Sequence, residues 1–300
     1  MISDLTYPID IRKSGDCWAL SFTAMASPCE ILVECRSESD AQILADIAFS
    51  ETARIEQKYS RYLNGNIVYQ INHSGGVPVP IDEETFRLLN FAADCYQLSD
   101  GLFDITAGVL RKAWKFDSQE VSPDRELISS LLGLVGFEKM RIERNRITLR
   151  PDMEIDFGGL GKEYAVDRVA EILFDKTHLP LMVNFGGDIR ALSPLTEREP
   201  WVIGIENPDP DNAPLGEIKL TQGGVATSGF SYRYCVVEGK RLGHILNPKT
   251  GWPVEDAPRS VTVVADRCTE AGILSTLAML HGSDAESFLK EQKVKFYCIR

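Results

Sequence analysis

The chain has 300 residues, 44% of apolar and 25% of charged types, an ordinary composition for a folded globular protein with a large core. Thirty-two basic against forty-four acidic residues leave a formal charge of −12. This excludes a nucleic-acid-binding surface and a resting place on an anionic membrane, since both need clustered Lys and Arg. An anionic ligand must therefore be held by a local device, backbone N–H groups or a metal ion, against the overall field. The seven cysteines, Cys17, Cys29, Cys35, Cys95, Cys235, Cys268 and Cys298, are odd in number and scattered, without a CxxC. They point to neither a disulfide framework nor a zinc ribbon. The first ten residues are not a secretory signal, and no run of eighteen apolar residues exists, so a cytoplasmic protein without a membrane segment is expected.

In chain order, Cys29, Ile31, Val33 and Cys35 alternate with Glu30 and Glu34, Leu32 breaking the polar face, and predict a half-buried strand over 29–35. Residues 40–59 carry Ile43, Leu44, Ile47 and Ile55 at helical spacing. A second helix is predicted over 82–98, with Ile81 as a hydrophobic staple before an Asp82 cap, and a short third over 125–134. Residues 140–149 read as a hairpin turning at Asn145. Residues 155–167 pass from a glycine-rich turn into a helix ending near Phe174. Residues 181–185 form a buried strand closed by Gly186-Gly187. Strands follow around 201–205, 234–237 and 260–264, then helices over 269–280 and 285–291, and a last strand over 294–299. Helices and strands mix without strict alternation, so an α+β fold with mixed or antiparallel sheets is expected, as a single domain over 1–300.

Four segments carry candidate chemistry. Asp156-Phe157-Gly158-Gly159-Leu160-Gly161-Lys162 leads into a helix, where glycines and a helix N-terminus can present N–H groups to a phosphate. It is not a P-loop, because Glu163 stands where Ser or Thr has to follow the lysine. A tight strand-to-helix turn is the plain alternative. Gly223 to Gly229 is a small-residue loop whose Thr227 and Ser228 hydroxyls can bond a polar ligand, or a bulged connection between strands. His244, one of four histidines, precedes a Pro-x-x-Gly turn and is either a general base or structural. Around Gly101, Asp104 and Thr106 either reach a ligand or cap a turn, while Phe103 and Tyr62 either stack on a planar heterocycle or belong to the core.

The order of these segments is more specific than any one of them. Ala24 to Glu30, Lys58 to Tyr62, Gly101 to Thr106, Asp156 to Lys162 and Asp167 are followed by Asn184-Phe185-Gly186-Gly187-Asp188-Ile189-Arg190. Then come Ala226 to Gly229, His244 to Pro253 and Ser260 to Val264. The series resembles the ApbE family of FAD:protein FMN transferases over about residues 22–282. The resemblance implies a T-fold-like α+β architecture with FAD in a cleft, and transfer of FMN from FAD to a Ser or Thr hydroxyl of an acceptor flavoprotein with release of AMP. A flavin-handling protein without catalysis and an FAD diphosphatase are the alternatives. By resemblance Met25, Tyr62, Leu102, Phe103, Asp104, Gly158, Tyr164 and Ile245 fall where the family contacts FAD. Thr227 and Lys162 fall at or beside that place, and His244 is the expected base.

The family's magnesium ion is expected on the Gly161 carbonyl and on a helix segment that here reads Glu270-Ala271-Gly272-Ile273-Leu274-Ser275-Thr276. Thr276 is kept, and Ser275 stands where a second Asp can occur, but the main carboxylate position is Gly272. A hard cation prefers anionic oxygen, so this loss should weaken binding unless Glu270 or Asp266 substitutes. Asn247 replaces a common Asp, and Glu163 replaces a Gly.

Overall fold

The computed structural model describes residues 8–194, 199–209, 213–231 and 233–300. The chain divides into two compact units, each assembled from three stretches. The first comprises Met1–Gln57, Leu160–Thr227 and Thr262–Gly272, the second Lys58–Gly159, Ser228–Val261 and Ile273–Arg300.

The first unit is organised by successive antiparallel pairs. Asp10–Ser14 pairs Cys17–Ala24, which pairs Ser27–Val33. Ser27–Val33 pairs Leu181–Phe185, which pairs Asp188–Leu192, and the order continues through Gly223–Gly229 to Ser260–Ala265. Register aligns Leu20, Ile31 and Val183 in one row, all three fully buried. Because side chains alternate faces, the neighbouring row on the same face runs Phe22, Cys29, Phe185, Asp188. That row delivers a carboxylate into a buried layer. Helix Gly161–Thr177 packs over Leu181–Phe185 and Asp188–Leu192 and covers it.

In the second unit the small sheet Val79–Pro80, Arg146–Thr148 and Arg141–Glu143 accompanies helices whose starts are set by aspartates. Asp82 caps Glu83–Leu98, accepting from the Thr85 N–H at 2.9 Å. Asp124 caps Arg125–Leu132, accepting from the N–H groups of Glu126 and Leu127. A ribbon of Tyr234–Val237 and Lys240–Gly243 supplies Cys235 and Leu242 to a cluster with Trp114 and Ile128. The Trp114 indole N–H donates to the Gly251 carbonyl at 2.8 Å and ties that cluster to the turn after His244.

The α+β class holds, and the principal helices lie where periodicity places them. The differences have physical causes. The predicted strand over 29–35 is Ser27–Val33: the Glu34 N–H still bonds the Pro180 carbonyl in register, but Pro180 has no N–H to return and the ladder ends there. Asp188–Leu192 is buried on both faces and shows no alternation to read. The third helix stops at Leu132, and Asp104 starts a 3₁₀ helix, Ile105–Lys112, that has no sequence expectation. The segment expected as a loop, Gly223 to Gly229, is instead a strand. Its small residues serve packing: a Cβ at Gly224 would lie 2.3 Å from the Arg267 carbonyl carbon and the Cys268 nitrogen. Among the described residues no helix is long and apolar enough to cross a membrane.

Backbone cannot yield as a side-chain tip can. Gly224→Ala should therefore destabilise the protein by about 1–3 kcal/mol, read as a lowered urea midpoint at unchanged slope. Gly204→Ala, where nothing lies within 4 Å of the new methyl, should stay close to wild type.

Candidate functional site

In the first unit the candidate residues gather at the head of helix Gly161–Thr177. Its N-cap Leu160 offers no side-chain hydrogen bond, so no side-chain cap takes up the N–H groups of the first turn. Lys162 Nζ lies 2.9 Å from the buried Asp188 Oδ2, and the Thr227 N–H also donates to that carboxylate. Burial opposes the lysine's charge, but Asp188 outweighs it and raises the Lys162 pKa above its ordinary value. Two hairpin turns stand nearby. Gly186 and Gly187, at φ +60 and +96, close one. A Cβ on Gly186 would be 3.0 Å from Ser27 Cβ and 3.8 Å from Lys162 Nζ. Ser27 follows the other turn, where Met25 and Ala26 both hold left-handed backbone at φ 52 and 56. Non-glycine residues in this region cost roughly 1–2 kcal/mol each, so the half-exposed Met25 is held in a strained position.

One helical turn along, Asp167 accepts from the Cys268 N–H at 3.0 Å, the Thr269 N–H at 2.9 Å and the Thr269 hydroxyl at 2.8 Å. Arg190 Nε approaches the same carboxylate at 3.6 Å. Asp167 thereby fixes the start of helix Cys268–Leu280 against helix Gly161–Thr177. Glu163 lies one turn before Asp167, and Gly272 one turn after Cys268. The two meet: a Cβ on Gly272 would sit 2.6 Å from Glu163 Cγ and 3.0 Å from its Oε1. Glu163 is half-buried with its Oε2 buried and without a hydrogen-bond partner, and desolvation followed by the Asp188 charge pushes its carboxyl pKa well up.

In the second unit the glycine-rich turn is clamped from its first residue. Asp156 accepts from Arg61 at 2.5 Å and from the Gly158 N–H at 2.9 Å, while its own N–H donates to the Ile105 carbonyl at 2.8 Å. Arg61 also stacks on Tyr62, whose ring is 76% exposed. Phe103 is core at 6% exposure, and a Cβ on Gly159 would touch its ring at 3.4 Å. Asp104 is an N-cap: Oδ1 accepts from the Thr106 N–H and hydroxyl, and Oδ2 from the Phe137 N–H. The Ser228 hydroxyl is 2.8 Å from Ser275 Oγ and 3.2 Å from Thr276 Oγ1.

His244 stands at the end of the Lys240–Gly243 strand, edge-on to Phe116 at 6.3 Å between centroids. Its ring is hydrogen-bonded to the Arg233 backbone carbonyl, and its buried Nδ1 has no partner. Burial first, and then the Arg233 guanidinium, push its pKa down to about 4, so the imidazole is neutral at pH 7. Ile245 follows half-exposed, and the Asn247 side chain closes the next turn by accepting from the Lys249 N–H at 2.8 Å.

The expected residues thus divide by unit. Met25, Gly161, Lys162, Tyr164 and Thr227 lie in the first, and Tyr62, Leu102, Phe103, Asp104, Gly158, His244, Ile245, Ser275 and Thr276 in the second. Thr227 is exposed, with its hydroxyl 2.8 Å from that of Thr262, and Tyr164 continues the helix one turn after Leu160. Of the proposed substitute carboxylates, Glu270 and Asp266 are both exposed. The carboxylate that the sequence reading left aside is Glu163. Its signal was present as two departures in one chain, a Gly turned Glu and an Asp turned Gly, which become one feature once the helices are seen to cross.

Residues 25–298 match the model of the ApbE family, and the chain belongs to that family. It is 30% identical over 267 residues to a FAD:protein FMN transferase of Klebsiella pneumoniae (strain 342), covering 87% of this chain and 81% of the relative. It is 28% identical over 255 residues to a FAD:protein FMN transferase of Escherichia coli (strain K12), covering 81% of this chain and 73% of the relative. Among solved structures, the ApbE protein of Thermotoga maritima superposes with a TM-score of 0.85 at 31% identity over 94% of both chains. The apo form of the flavinyl transferase ApbE of Pseudomonas stutzeri gives 0.82 at 25% identity, over 99% of this chain and 93% of that one.

The histidine sets a pH signature. An unfolded histidine titrates near its ordinary value of 6.5, while the folded His244 does so at about 4. The native state therefore binds fewer protons across that window. Its stabilisation is complete above pH 6.5 and is lost as pH falls towards 4, on the order of 2–3 kcal/mol. Urea titrations at pH 7 and pH 4.5 should show a smaller acid loss for His244→Gln than for wild type, and equal losses would contradict the assignment.

Proposed function

We propose that this protein is an FAD:protein FMN transferase. The observation that carries the reading is His244: a neutral imidazole with an unpartnered ring nitrogen, inside a family whose relatives bear that activity. In the proposed step a Ser or Thr hydroxyl of an acceptor flavoprotein attacks the phosphorus of the FMN half of FAD. A new P–O bond forms, the anhydride P–O bond breaks, and AMP departs with the bridging oxygen. The hydroxyl proton passes to the His244 imidazole.

The other residues bind and orient. The first-turn N–H groups of helix Gly161–Thr177 and the Lys162 cation supply local positive potential for a pyrophosphate in a chain of net charge −12. Asp188 holds the lysine in place. In the second unit exposed Tyr62 offers an aromatic face for a planar ring, and Leu102, Phe103, Asp104, Gly158 and Ile245 are proposed FAD residues; in the first unit Met25, Tyr164 and Thr227 are. For Phe103 and Asp104 this role is indirect: one is a core ring and the other a cap, and they set the turn from which the chain presents its neighbours. The donor set also fits a divalent ion, because a buried carboxylate oxygen without a partner suits a hard cation. The Gly161 carbonyl, two residues before Glu163 in the same unit, is the proposed further oxygen. Magnesium, when bound, would neutralise charge on the pyrophosphate oxygens.

Incubation with FAD, Mg²⁺ and an FMN-binding acceptor domain from the same genome should give a covalently fluorescent acceptor on a denaturing gel and one AMP per flavin transferred. His244→Ala should slow transfer by roughly 10²–10⁴-fold. AMP release that is equally fast without acceptor would point to a diphosphatase, and FAD binding without AMP release to a flavin-handling protein. Either result would reject the transferase.

A further inference from the structure

The Glu163 carboxylate is the least explained group in the first unit. The residue is half-buried, but its Oε2 is buried and has no partner, and the neighbouring lysine is engaged by Asp188. Taking a carboxylate out of water without a counter-group is costly, so such a group is kept either protonated or bound to a cation. Its position distinguishes these. Glu163 lies two residues after Gly161 in the first helical turn, and its side chain fills the volume in front of Gly272. An aspartate at position 272 would project its carboxylate from that same place. Cγ is 2.6 Å, Oε1 3.0 Å and Cδ 3.1 Å from where a Cβ of residue 272 would stand.

We infer that Glu163 is the carboxylate ligand of a divalent cation in this chain, replacing from the opposite helix the side chain that Gly272 lacks. The inference rests on the transferase reading for the ion's purpose, but not for its measurement. Among the described residues no three His, Cys, Asp or Glu side chains form a cage. That suits Mg²⁺, which takes one or two carboxylates and fills its remaining positions with carbonyls, water and phosphate oxygens. The exposed Glu270 and Asp266 have no comparable placement. Two departures that separately read as damage thus form one exchange. The geometry also reverses the simplest expectation about repair: Gly272→Asp alone adds a second carboxylate to occupied space.

The test is direct metal binding: Mn²⁺ titration followed by electron paramagnetic resonance and Mg²⁺ titration by calorimetry, each with and without FAD and without any acceptor. Wild type should bind, and Glu163→Gln, nearly isosteric, should bind at least about tenfold more weakly while keeping the wild-type melting profile. Gly272→Asp alone should lower the melting temperature and fail to strengthen binding. The double variant Glu163→Gly with Gly272→Asp should restore binding to within a few-fold of wild type. Unchanged affinity in Glu163→Gln, or no binding to wild type under either condition, would overturn the inference. Should the variants not fold, wild-type crystals soaked in Mn²⁺ decide. An anomalous peak within about 2.5 Å of a Glu163 carboxylate oxygen supports the assignment, and a peak elsewhere, or none, rejects it. Because no transfer is assayed, binding with loss of FMN transfer would separate a failed function from a failed metal site.

Discussion

Asp167 is the residue on which the first unit's chemistry depends. A single buried carboxylate accepts three hydrogen bonds from the start of helix Cys268–Leu280 while standing on helix Gly161–Thr177, and the nearly buried Arg190 faces it from the sheet. Hydrogen bonds to a charged acceptor are stronger than neutral ones, and removing one partner leaves the other charge unanswered. Two helices are therefore locked in register. Everything one turn away from this point, Glu163 on one side and Gly272 on the other, inherits its position from it.

The same logic explains why an acidic protein can present an anion site. Lys162 is not a free surface cation but one whose charge is held by Asp188, a residue that the sheet register places inward beside Phe185. Beside it lies a helix head with no side-chain cap. The net charge of −12 sets the far field, whereas short-range potential at this spot is set by a few N–H groups and one fixed ammonium. Composition and site chemistry answer different questions.

Much of the fold was legible. Helix Glu83–Leu98 follows from its staple and cap, and Leu181–Phe185 and Trp201–Ile205 from short apolar runs with clear ends. Asp188–Leu192 was not, because a strand buried on both faces carries no alternation, and neither was Gly223–Gly229, whose glycine answers a neighbouring backbone rather than a turn. At the site, the cap made by Asp104 and the core burial of Phe103 were among the open alternatives, and local sequence could not choose between them. The pairing of Glu163 with Gly272 was beyond reach, since 109 positions separate them and only the helix crossing joins them.

That crossing also couples the two positions. A side chain at 272 and the present Glu163 conformer claim the same volume, since a Cβ there would lie 2.6 Å from Glu163 Cγ. Anything larger than glycine at 272 fits only if Glu163 turns to another rotamer, so that glycine governs where the carboxylate points and not merely whether there is room for it.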